Sequence, residues 1–425
     1  MINAESVQAV GAARFGERFI RPRYDGYGFA QIPQTIRRCL GAGETGGVDF
    51  GPRGDLYQTY DAVILLFVDA FGWRFYEQYR ERSSFLRRIE DEGLVCKLAS
   101  QFPSTTAAHV TTIHTGLPVG RSGVYEWYYY EPLLDALIAP LLYSFAGDAR
   151  RNTLARTNIG PAALYPTRTL YQELRDHGVG SVVMQHKDYA LSPYSGVVTD
   201  GARVAQYRTL PEALVNLAAL LAGQREPTYY FLYFDGVDAT GHHYGPESPQ
   251  IAAEIEVFLA AMELALHPAL ARAKGRTLLL LTADHGQVAV DPATTVYLNR
   301  EVPELREYLR ANQSGRPLVP AGSARDMFLY VKPEYVGEAQ ALLRQKLAGK
   351  AEVHRARDLI AQGFFGAEPP SPAFLGRVGD LVILPYAGES VWWYEKDVFE
   401  QRFYGSHGGL TPEEMETLLL VQPYG

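Results

Sequence analysis

Three short motifs of aspartate and histidine have spacings that are typical of metal ligands. Asp238 precedes His242 by four residues, Asp284 and His285 are adjacent, and His407 precedes a pair of glycines. Two such clusters suit two divalent ions that bridge one substrate. Mixed nitrogen and oxygen ligands favour zinc, with manganese as the alternative. The motifs therefore predict a site for two divalent metal ions and an anionic substrate.

A hydroxyl group suited to nucleophilic attack lies in the segment Phe102–Thr106, ahead of a helix that we expect to end at Thr115. The N–H groups at a helix N-terminus point at bound anions, and metal coordination lowers the pKa of a hydroxyl enough to make it reactive. Serine and threonine are also ordinary N-cap residues. On this segment alone, the capping role and the nucleophile role both stay open.

The elements that must position these residues are short apolar runs that end in aspartate. The runs, with the aspartates that follow them, are Ala62–Val68 with Asp69, Tyr229–Phe234 with Asp235 and Asp238, and Thr277–Ala283 with Asp284. Continuous apolar runs indicate strands of a parallel sheet that are buried on both faces. Helical stretches such as Leu210–Leu221 and Gln250–Ala273 alternate with them, which predicts an α/β fold. Because ligands bind beyond the carboxyl ends of parallel strands, we expect the aspartates to meet at one rim.

Changes in composition along the chain predict four segments. Residues 1–60 contain no comparable apolar run, and we expect an N-terminal extension packed on the core. Residues 61–299 are expected to form the first part of a catalytic α/β core. Residues 300–375 combine strand-like runs with a helical stretch and predict a small α+β insert. Residues 376–425 are expected to complete the core, beginning with the strand Gly379–Leu384.

Composition and charge exclude several classes of protein. The 425 residues are 47% hydrophobic and 21% charged, the balance of a globular protein. A formal net charge of −8 provides no excess of positive charge for binding long nucleic acids. No run approaches the roughly 20 apolar residues of a membrane span, and residues 1–21 lack an apolar signal-peptide core. We therefore expect a cytoplasmic protein with no membrane partner. Cys39 and Cys96 are too few for a disulfide framework, and the oligomeric state is not predicted.

Six motifs occur in one order along the chain. They are Val68-Asp69-Ala-Phe-Gly72, Phe102-Pro103 to Thr106, His109 with Thr115-Gly116, Asp238-x-x-Gly-His242-x-Tyr-Gly-Pro246, Ala283-Asp-His-Gly286 and Gly405-x-His-Gly408. This set resembles the alkaline phosphatase superfamily and, within it, the type I phosphodiesterase / nucleotide pyrophosphatase family. The resemblance covers about residues 62–290 and 376–410. It implies an alkaline-phosphatase-like α/β/α sandwich with a mostly parallel central sheet and a small α+β insert.

The resemblance also implies roles for individual residues. One metal is implied to be held by Asp69, Thr106, Asp284 and His285, and the other by Asp238, His242 and His407. Thr106, nine residues before Thr115, occupies the nucleophile position and is implied to form a phospho-threonine intermediate. Tyr233, five residues before Asp238, is implied to stack on a nucleobase.

One feature of the family is missing. The family usually has an asparagine about 21 residues beyond the nucleophile, where this chain has Trp127 beside Glu126. Trp127 and Tyr128 belong to an aromatic cluster at residues 125–130 that predicts either core packing or a lid over the substrate. We take both, with Tyr233, as candidate substrate-binding residues. His109 is expected to be a buried, hydrogen-bonded residue rather than a metal ligand.

The sequence thus predicts a two-metal phosphoester hydrolase of the phosphodiesterase / nucleotide pyrophosphatase type, acting on a small phosphoester or nucleotide. A phosphomonoesterase, phosphonate hydrolase or phosphomutase on the same metal site is the alternative enzyme. A metal-binding protein whose catalysis has lapsed is the alternative from another class.

Overall fold

A computed structural model describes all 425 residues of the chain and contains nineteen strands. They are β1 Arg14–Phe15, β2 Phe19–Ile20, β3 Ala62–Val68, β4 Leu94–Ala99, β5 Tyr129–Glu131, β6 Ala136–Ala139, β7 Ser144–Phe145, β8 Gly180–His186, β9 Arg203–Tyr207, β10 Thr228–Phe234, β11 Thr277–Thr282, β12 Val288–Ala289, β13 Val296–Tyr297, β14 Met327–Leu329, β15 Ala351–Arg355, β16 Leu381–Pro385, β17 Val391–Trp392, β18 Gly405–Ser406 and β19 Glu416–Tyr424.

Seventeen α-helices connect and cover these strands. They are α1 Ala4–Gly11, α2 Ile32–Cys39, α3 Trp73–Tyr79, α4 Ser84–Glu92, α5 Thr106–Thr115, α6 Val119–Ser122, α7 Leu170–Asp176, α8 Pro193–Val198, α9 Leu210–Ala222, α10 Gly236–Tyr244, α11 Pro249–Ala261, α12 His267–Leu270, α13 Leu298–Glu301, α14 Val336–Lys346, α15 Ala356–Ala361, α16 Pro372–Arg377 and α17 Pro412–Met415. A π-helical turn, Met262–Leu266, joins α11 to α12. None of the helices is both long and apolar enough to cross a bilayer.

The central sheet has seven strands in the order β4-β19-β11-β3-β10-β8-β9. Neighbouring strands from β11 to β9 pair in parallel, and β19 is antiparallel to both of its neighbours. Ala62 of β3 lies opposite both Thr228 of β10 and Thr277 of β11. Because the three strands are in register, they end at the same level, and the aspartates that follow them meet at one rim.

The two faces of the sheet pack against separate layers of helices. Val63, Leu65 and Phe67 of β3 belong to the larger core, which also contains apolar residues of α2, α5 and α7. The alternate residues of the same strand pack with α4, α9 and α11 on the other face. Burying each such side chain contributes about 1.5–3 kcal/mol to folding, so both layers are held firmly. The α/β/α sandwich with a mostly parallel sheet is confirmed.

The region before the first core strand packs against the larger core. Phe29, Ile32 and Ile36 are fully buried there, and the backbone N–H of Asn3 donates to the carbonyl of Val95 in β4. Its only strands, β1 and β2, are two residues each. An N-terminal extension of residues 1–60 stays a proposal.

A second, three-stranded sheet has the order β14-β16-β15. The expectation that the strand at Gly379–Leu384 returns to the central sheet is wrong, because β16 is the middle strand of this small sheet. Its residues are buried on both sides, as they would be in either sheet. We therefore propose an insert that extends beyond residue 375, to the end of β16 at Pro385.

Candidate active site

The first cluster of potential ligands forms where β3 and β11 end. Nε2 of His285 lies 3.2 Å from Oδ2 of Asp284 and 3.6 Å from Oδ1 of Asp69. Oγ1 of Thr106 lies 3.3 Å from Oδ2 of Asp69 and 3.4 Å from Nε2 of His285. The carboxylate and imidazole groups are buried, and their ligand atoms lie within 4.8 Å of one another. The structure thus brings together the first predicted set.

The second cluster lies on α10 and in the loop after β18. Nε2 of His242 lies 3.3 Å from Oδ2 of Asp238 and 3.2 Å from Nε2 of His407. Nε2 of His407 lies 3.7 Å from Oδ1 of Asp238. The ring of His407 also stacks on that of His285, with centroids 3.7 Å apart. The two clusters are therefore in direct contact, and all seven predicted residues lie in one site.

The histidines of the site are oriented by backbone carbonyl groups. Nδ1 of His242 lies 2.7 Å from the carbonyl of Gly405, and Nδ1 of His407 lies 2.9 Å from that of Ser104. Nδ1 of His285 lies 3.0 Å from the carbonyl of its neighbour Gly286. A proton on each Nδ1 leaves the lone pair of each Nε2 directed at the carboxylates. Such lone pairs repel one another unless a cation lies between them.

The carboxyl groups of the first cluster also lack a cationic partner. Burial raises the pKa of Asp284 to about 7, and burial with the charges of Asp284 and Asp238 raises the pKa of Asp69 well above its usual range. Oδ2 of Asp284 is buried without a hydrogen-bond partner. Buried carboxylates are stable only when they are paired or coordinated to a metal. The donor set therefore fits divalent cations.

Burial and charge act differently on the second cluster. Burial raises the pKa of Asp238, but the facing His242 outweighs it and holds the pKa below its usual range. Burial lowers the pKa of His242, but the Asp238 carboxylate reverses this and raises it. Burial lowers the pKa values of His285 and His407, which favours their neutral, ligating forms.

Glycines allow the segments that bear the metal ligands to approach one another closely. A Cβ atom on Gly72 would lie 2.7 Å from Cα of Gly286, so only glycine lets the loops after β3 and β11 approach. A Cβ atom on Gly405 would lie 2.4 Å from the carbonyl oxygen of Gly241, beside His242. These contacts explain why glycines accompany the metal-ligand motifs.

The nucleophile candidate begins helix α5. Thr106 is the first residue of this helix and its only residue that is not buried. Thr105, at the N-cap, makes no side-chain cap to the helix. The first N–H groups of a helix lack partners within it, so they are free to donate to an anion beside Thr106.

The three predicted substrate-binding residues line two cavities that meet at Thr106. One, here called the tyrosine cavity, has a volume of about 220 Å³ and is lined by Tyr189, Tyr194 and Tyr233. The other, here called the insert-side cavity, has a volume of about 480 Å³ and is lined by Tyr128 and Trp392. Trp127 lines both cavities.

Tyr233 makes a contact that its sequence position does not indicate. Its hydroxyl group donates a hydrogen bond to Oδ2 of Asp69. The ring is largely buried, and Tyr189 packs on it edge to face with centroids 5.8 Å apart. Its role as a stacking partner for a nucleobase stays a proposal.

Sequence analysis missed Gln287, which supports the second cluster. Nε2 of Gln287 donates to Oδ1 of Asp238 at 2.6 Å and to the carbonyl of the same residue at 3.0 Å. Gln287 directly follows the motif that contains Asp284 and His285, and this position was the only signal in the sequence.

A pair of buried acids beside the site was also missed. Glu126 is fully buried, its Oε2 accepts a hydrogen bond from the N–H of Trp127, and burial raises its pKa to about 7. The buried carboxyl group of Asp326 lies nearby, and burial together with the charge of Glu126 raises its pKa well above the usual range. No sequence motif connects these residues, which are 200 positions apart.

His109 lies close to the site but takes no part in either cluster. Its ring is fully buried, with Nδ1 2.7 Å from the carbonyl of Thr105 and Nε2 accepting from the N–H of Gln101. Burial lowers its pKa to about 3. A neutral ring with both nitrogens hydrogen-bonded fits the structural role expected for this residue.

The fold and the paired clusters define a class of hydrolase. The sequence profile described as type I phosphodiesterase / nucleotide pyrophosphatase matches residues 63–410. The chain belongs to this family of metal-dependent hydrolases. A comparison with curated proteins gave no match.

Solved structures with the same fold include members of two enzyme groups. Murine ectonucleotide pyrophosphatase / phosphodiesterase 5 is 17% identical with a TM-score of 0.61, and the match covers 85% of this chain and 87% of that one. One structure of the murine protein is an inactive threonine-to-alanine variant in complex with AMP. Phosphonoacetate hydrolase from Sinorhizobium meliloti 1021, solved with phosphonoacetate, is 18% identical with a TM-score of 0.58. This match covers 84% of the present chain and 89% of the hydrolase.

Proposed function

We propose that this protein hydrolyses phosphodiesters or nucleotide pyrophosphates through Thr106 as the nucleophile. The observation that carries the proposal is the contact of the Thr106 hydroxyl with both Asp69 and His285 at 3.3–3.4 Å. The inactive threonine-to-alanine variant of the murine protein that was solved with AMP supports the same residue type and a nucleotide ligand. Family membership supports phosphoester hydrolysis.

In this proposal, the residues of the chain divide the work of one in-line displacement. Oγ1 of Thr106 attacks phosphorus, its hydroxyl proton directed at Asp69, and the bond from phosphorus to the leaving oxygen breaks. Free N–H groups at the start of α5 donate to the phosphoryl oxygens. Water then cleaves the phospho-threonine ester, which releases a phosphomonoester and restores Thr106.

Two divalent ions would be held by Asp69, Thr106, Asp284 and His285 and by Asp238, His242 and His407. When bound, they supply positive charge that offsets the charge developing on the transferred group. We propose zinc, because the two sets together offer three imidazoles and three carboxylates. Cys39 and Cys96 are free, buried thiols, and we propose the cytoplasm as a compartment that suits them.

The test is a comparison of threonine variants on a nitrophenyl phosphodiester and its monoester. Thr106→Ala is expected to lose most turnover, about 1,000-fold or more, because no hydroxyl remains to attack. Thr106→Ser keeps the hydroxyl and should retain part of the activity. Thr105→Ala, the matched control one residue earlier, should be much milder.

Two outcomes would overturn the proposal. An active Thr106→Ala protein beside an inactive Thr105→Ala protein would move the nucleophile by one residue. A monoester advantage of about tenfold, roughly 1.4 kcal/mol in transition-state binding, would make the protein a phosphomonoesterase instead.

A further inference from the structure

The insert-side cavity differs from the tyrosine cavity in charge. The tyrosine cavity contains Arg151, whereas no lysine or arginine lines the insert-side cavity. Its carboxyl groups beyond the metal-ligand clusters belong to Glu126 and Glu400, and Glu400 is paired with Arg402. An anionic group that entered this cavity beyond the second cluster would lose its hydration without gaining a lysine or arginine as a partner.

Five aromatic side chains line the insert-side cavity, those of Trp127, Tyr128, Trp392, Phe399 and Phe403. Rings of Tyr128 and Trp392 lie 6.4 Å apart at 31°, and Phe399 meets Tyr128 edge to face at 5.7 Å. The ring of Phe403 lies 4.6 Å from that of His242, so the aromatic wall continues directly into the second cluster. Flat rings of this kind bind flat apolar groups by stacking.

The mouth of the cavity is apolar as well. Phe403 is 47% exposed and Val398 is 42% exposed, although both are large hydrophobic residues. Both lie between β17 and β18, and both line the cavity. Exposed apolar side chains around a cavity that also contains polar site residues indicate a ligand-binding surface.

In-line displacement decides which part of a substrate reaches this cavity. Thr106 attacks from the first cluster, and the leaving oxygen departs on the opposite side of phosphorus. Asp238, His242 and His407 of the second cluster lie on the wall of the insert-side cavity. The group attached to the leaving oxygen therefore enters this cavity, and the retained group faces the tyrosine cavity.

We propose that the insert-side cavity is a subsite for an aromatic leaving group that carries no charge within the substrate, and that it discriminates against leaving groups that are already anionic in the substrate. The inference rests on the proposed function and narrows its substrate class to aryl phosphodiesters over nucleotide pyrophosphates. Arg151 lines the tyrosine cavity, so a negatively charged retained group would have a cationic partner there.

The test uses two substrates that transfer the same group and differ in the leaving group. In the nitrophenyl ester of thymidine monophosphate, the leaving group is aromatic and uncharged until the bond breaks, when it departs as nitrophenolate. In thymidine diphosphate, the leaving group is a phosphate that is already anionic in the substrate. Comparing each variant with wild type on the same substrate removes differences in intrinsic reactivity. Phe403→Ala and Trp392→Ala should lower kcat/KM for the nitrophenyl ester by about tenfold and change that for the diphosphate less than about twofold.

A gain-of-function variant keeps the test independent of folding losses. Val398→Arg adds a cation at the exposed mouth, and it should raise the ratio of diphosphate to ester hydrolysis by about tenfold. Val257→Arg is the matched control, because Val257 is 66% exposed on α11 and lines neither cavity. It should leave both rates unchanged.

The outcomes separate this inference from the proposed function. If Thr106→Ala is inactive while the cavity variants change both substrates equally, the leaving-group subsite is refuted and the nucleophile stands. A wild-type preference for the diphosphate also refutes the subsite. If Thr106→Ala retains full turnover of both substrates, the proposed function itself fails.

Discussion

Replacing Gln287 with leucine tests whether Asp238 belongs to a metal site. Gln287 is 1% exposed, and its amide donates to the Asp238 carboxylate at 2.6 Å. A hydrogen bond to a charged group contributes about 1.5–3 kcal/mol, and removing a partner that orients a metal ligand typically weakens metal binding about 10- to 100-fold. We therefore expect Gln287→Leu to raise the metal dissociation constant of the second cluster by about that factor.

The assay is competition between the metal-loaded protein and a chromogenic chelator, followed until both ions are released. In Gln287→Leu, one ion should leave at a lower chelator concentration, and the other should leave as in wild type. Gln422→Leu is the matched control, since Gln422 is similarly buried in β19 but its side-chain amide donates only to Glu92 and Pro423. Unchanged release of both ions, or equal weakening of both, would refute the assignment of Asp238 to a separate second site.

Three further predictions follow from charge and burial. Because Asp238 raises the pKa of His242 in the metal-free protein, protons compete with metal there, and metal occupancy and turnover should fall as pH drops below about 6.5; a rate maximum near pH 5 with metal retained would contradict this. Burial raises the pKa of Glu126 to about 7, so its ionisation is less favourable in the folded protein than in the unfolded chain. The free energy of unfolding should therefore fall as pH rises from about 4.5 to 7, and Glu126→Gln should reduce this pH dependence in denaturant titrations. Arg325→Met should lower the free energy of unfolding by about 3–5 kcal/mol, because it leaves the fully buried Glu414 unpaired; a change below about 1 kcal/mol by urea denaturation would show that this ion pair matters little.

The central sheet could be predicted because its strands have an unusual pattern. Runs of six or seven apolar residues, such as β3 and β10, are buried on both faces and are hard to confuse with other elements. The same apolar pattern explains why the prediction that places β16 in the central sheet is wrong. A short apolar run is buried on both faces in a small sheet as well as in a large one, so its pattern does not identify its partners.

The two ligand clusters could be predicted because each ligand belongs to a local motif. Asp284 and His285 follow β11 after a single intervening residue, and Asp238 and His242 lie one helical turn apart on α10. Parallel strand ends bring such motifs to one rim without further information. Short-range spacing in the sequence therefore indicated most of the residues of the two clusters.

The walls of the site could not be predicted in the same way. Trp392 and Phe403 line a cavity with Trp127, although more than 260 residues separate them from it in the chain. Apolar aromatic residues occur throughout the core, so their type indicates no particular neighbour. The proximity of Glu126 and Asp326 depends on how the insert packs on the core, which local patterns do not determine.

The measurement that tests the central proposal most directly is the mass of the enzyme during turnover. Metal-loaded protein is mixed with a nitrophenyl phosphodiester, quenched in acid within milliseconds to seconds, and digested for peptide mass spectrometry. The account predicts a peptide heavier by the transferred phosphoryl ester, with the modification on Thr106, and no such adduct in Thr106→Ala. A modification on Ser104 or Thr105, or an adduct that persists in Thr106→Ala, would contradict the assignment of the nucleophile.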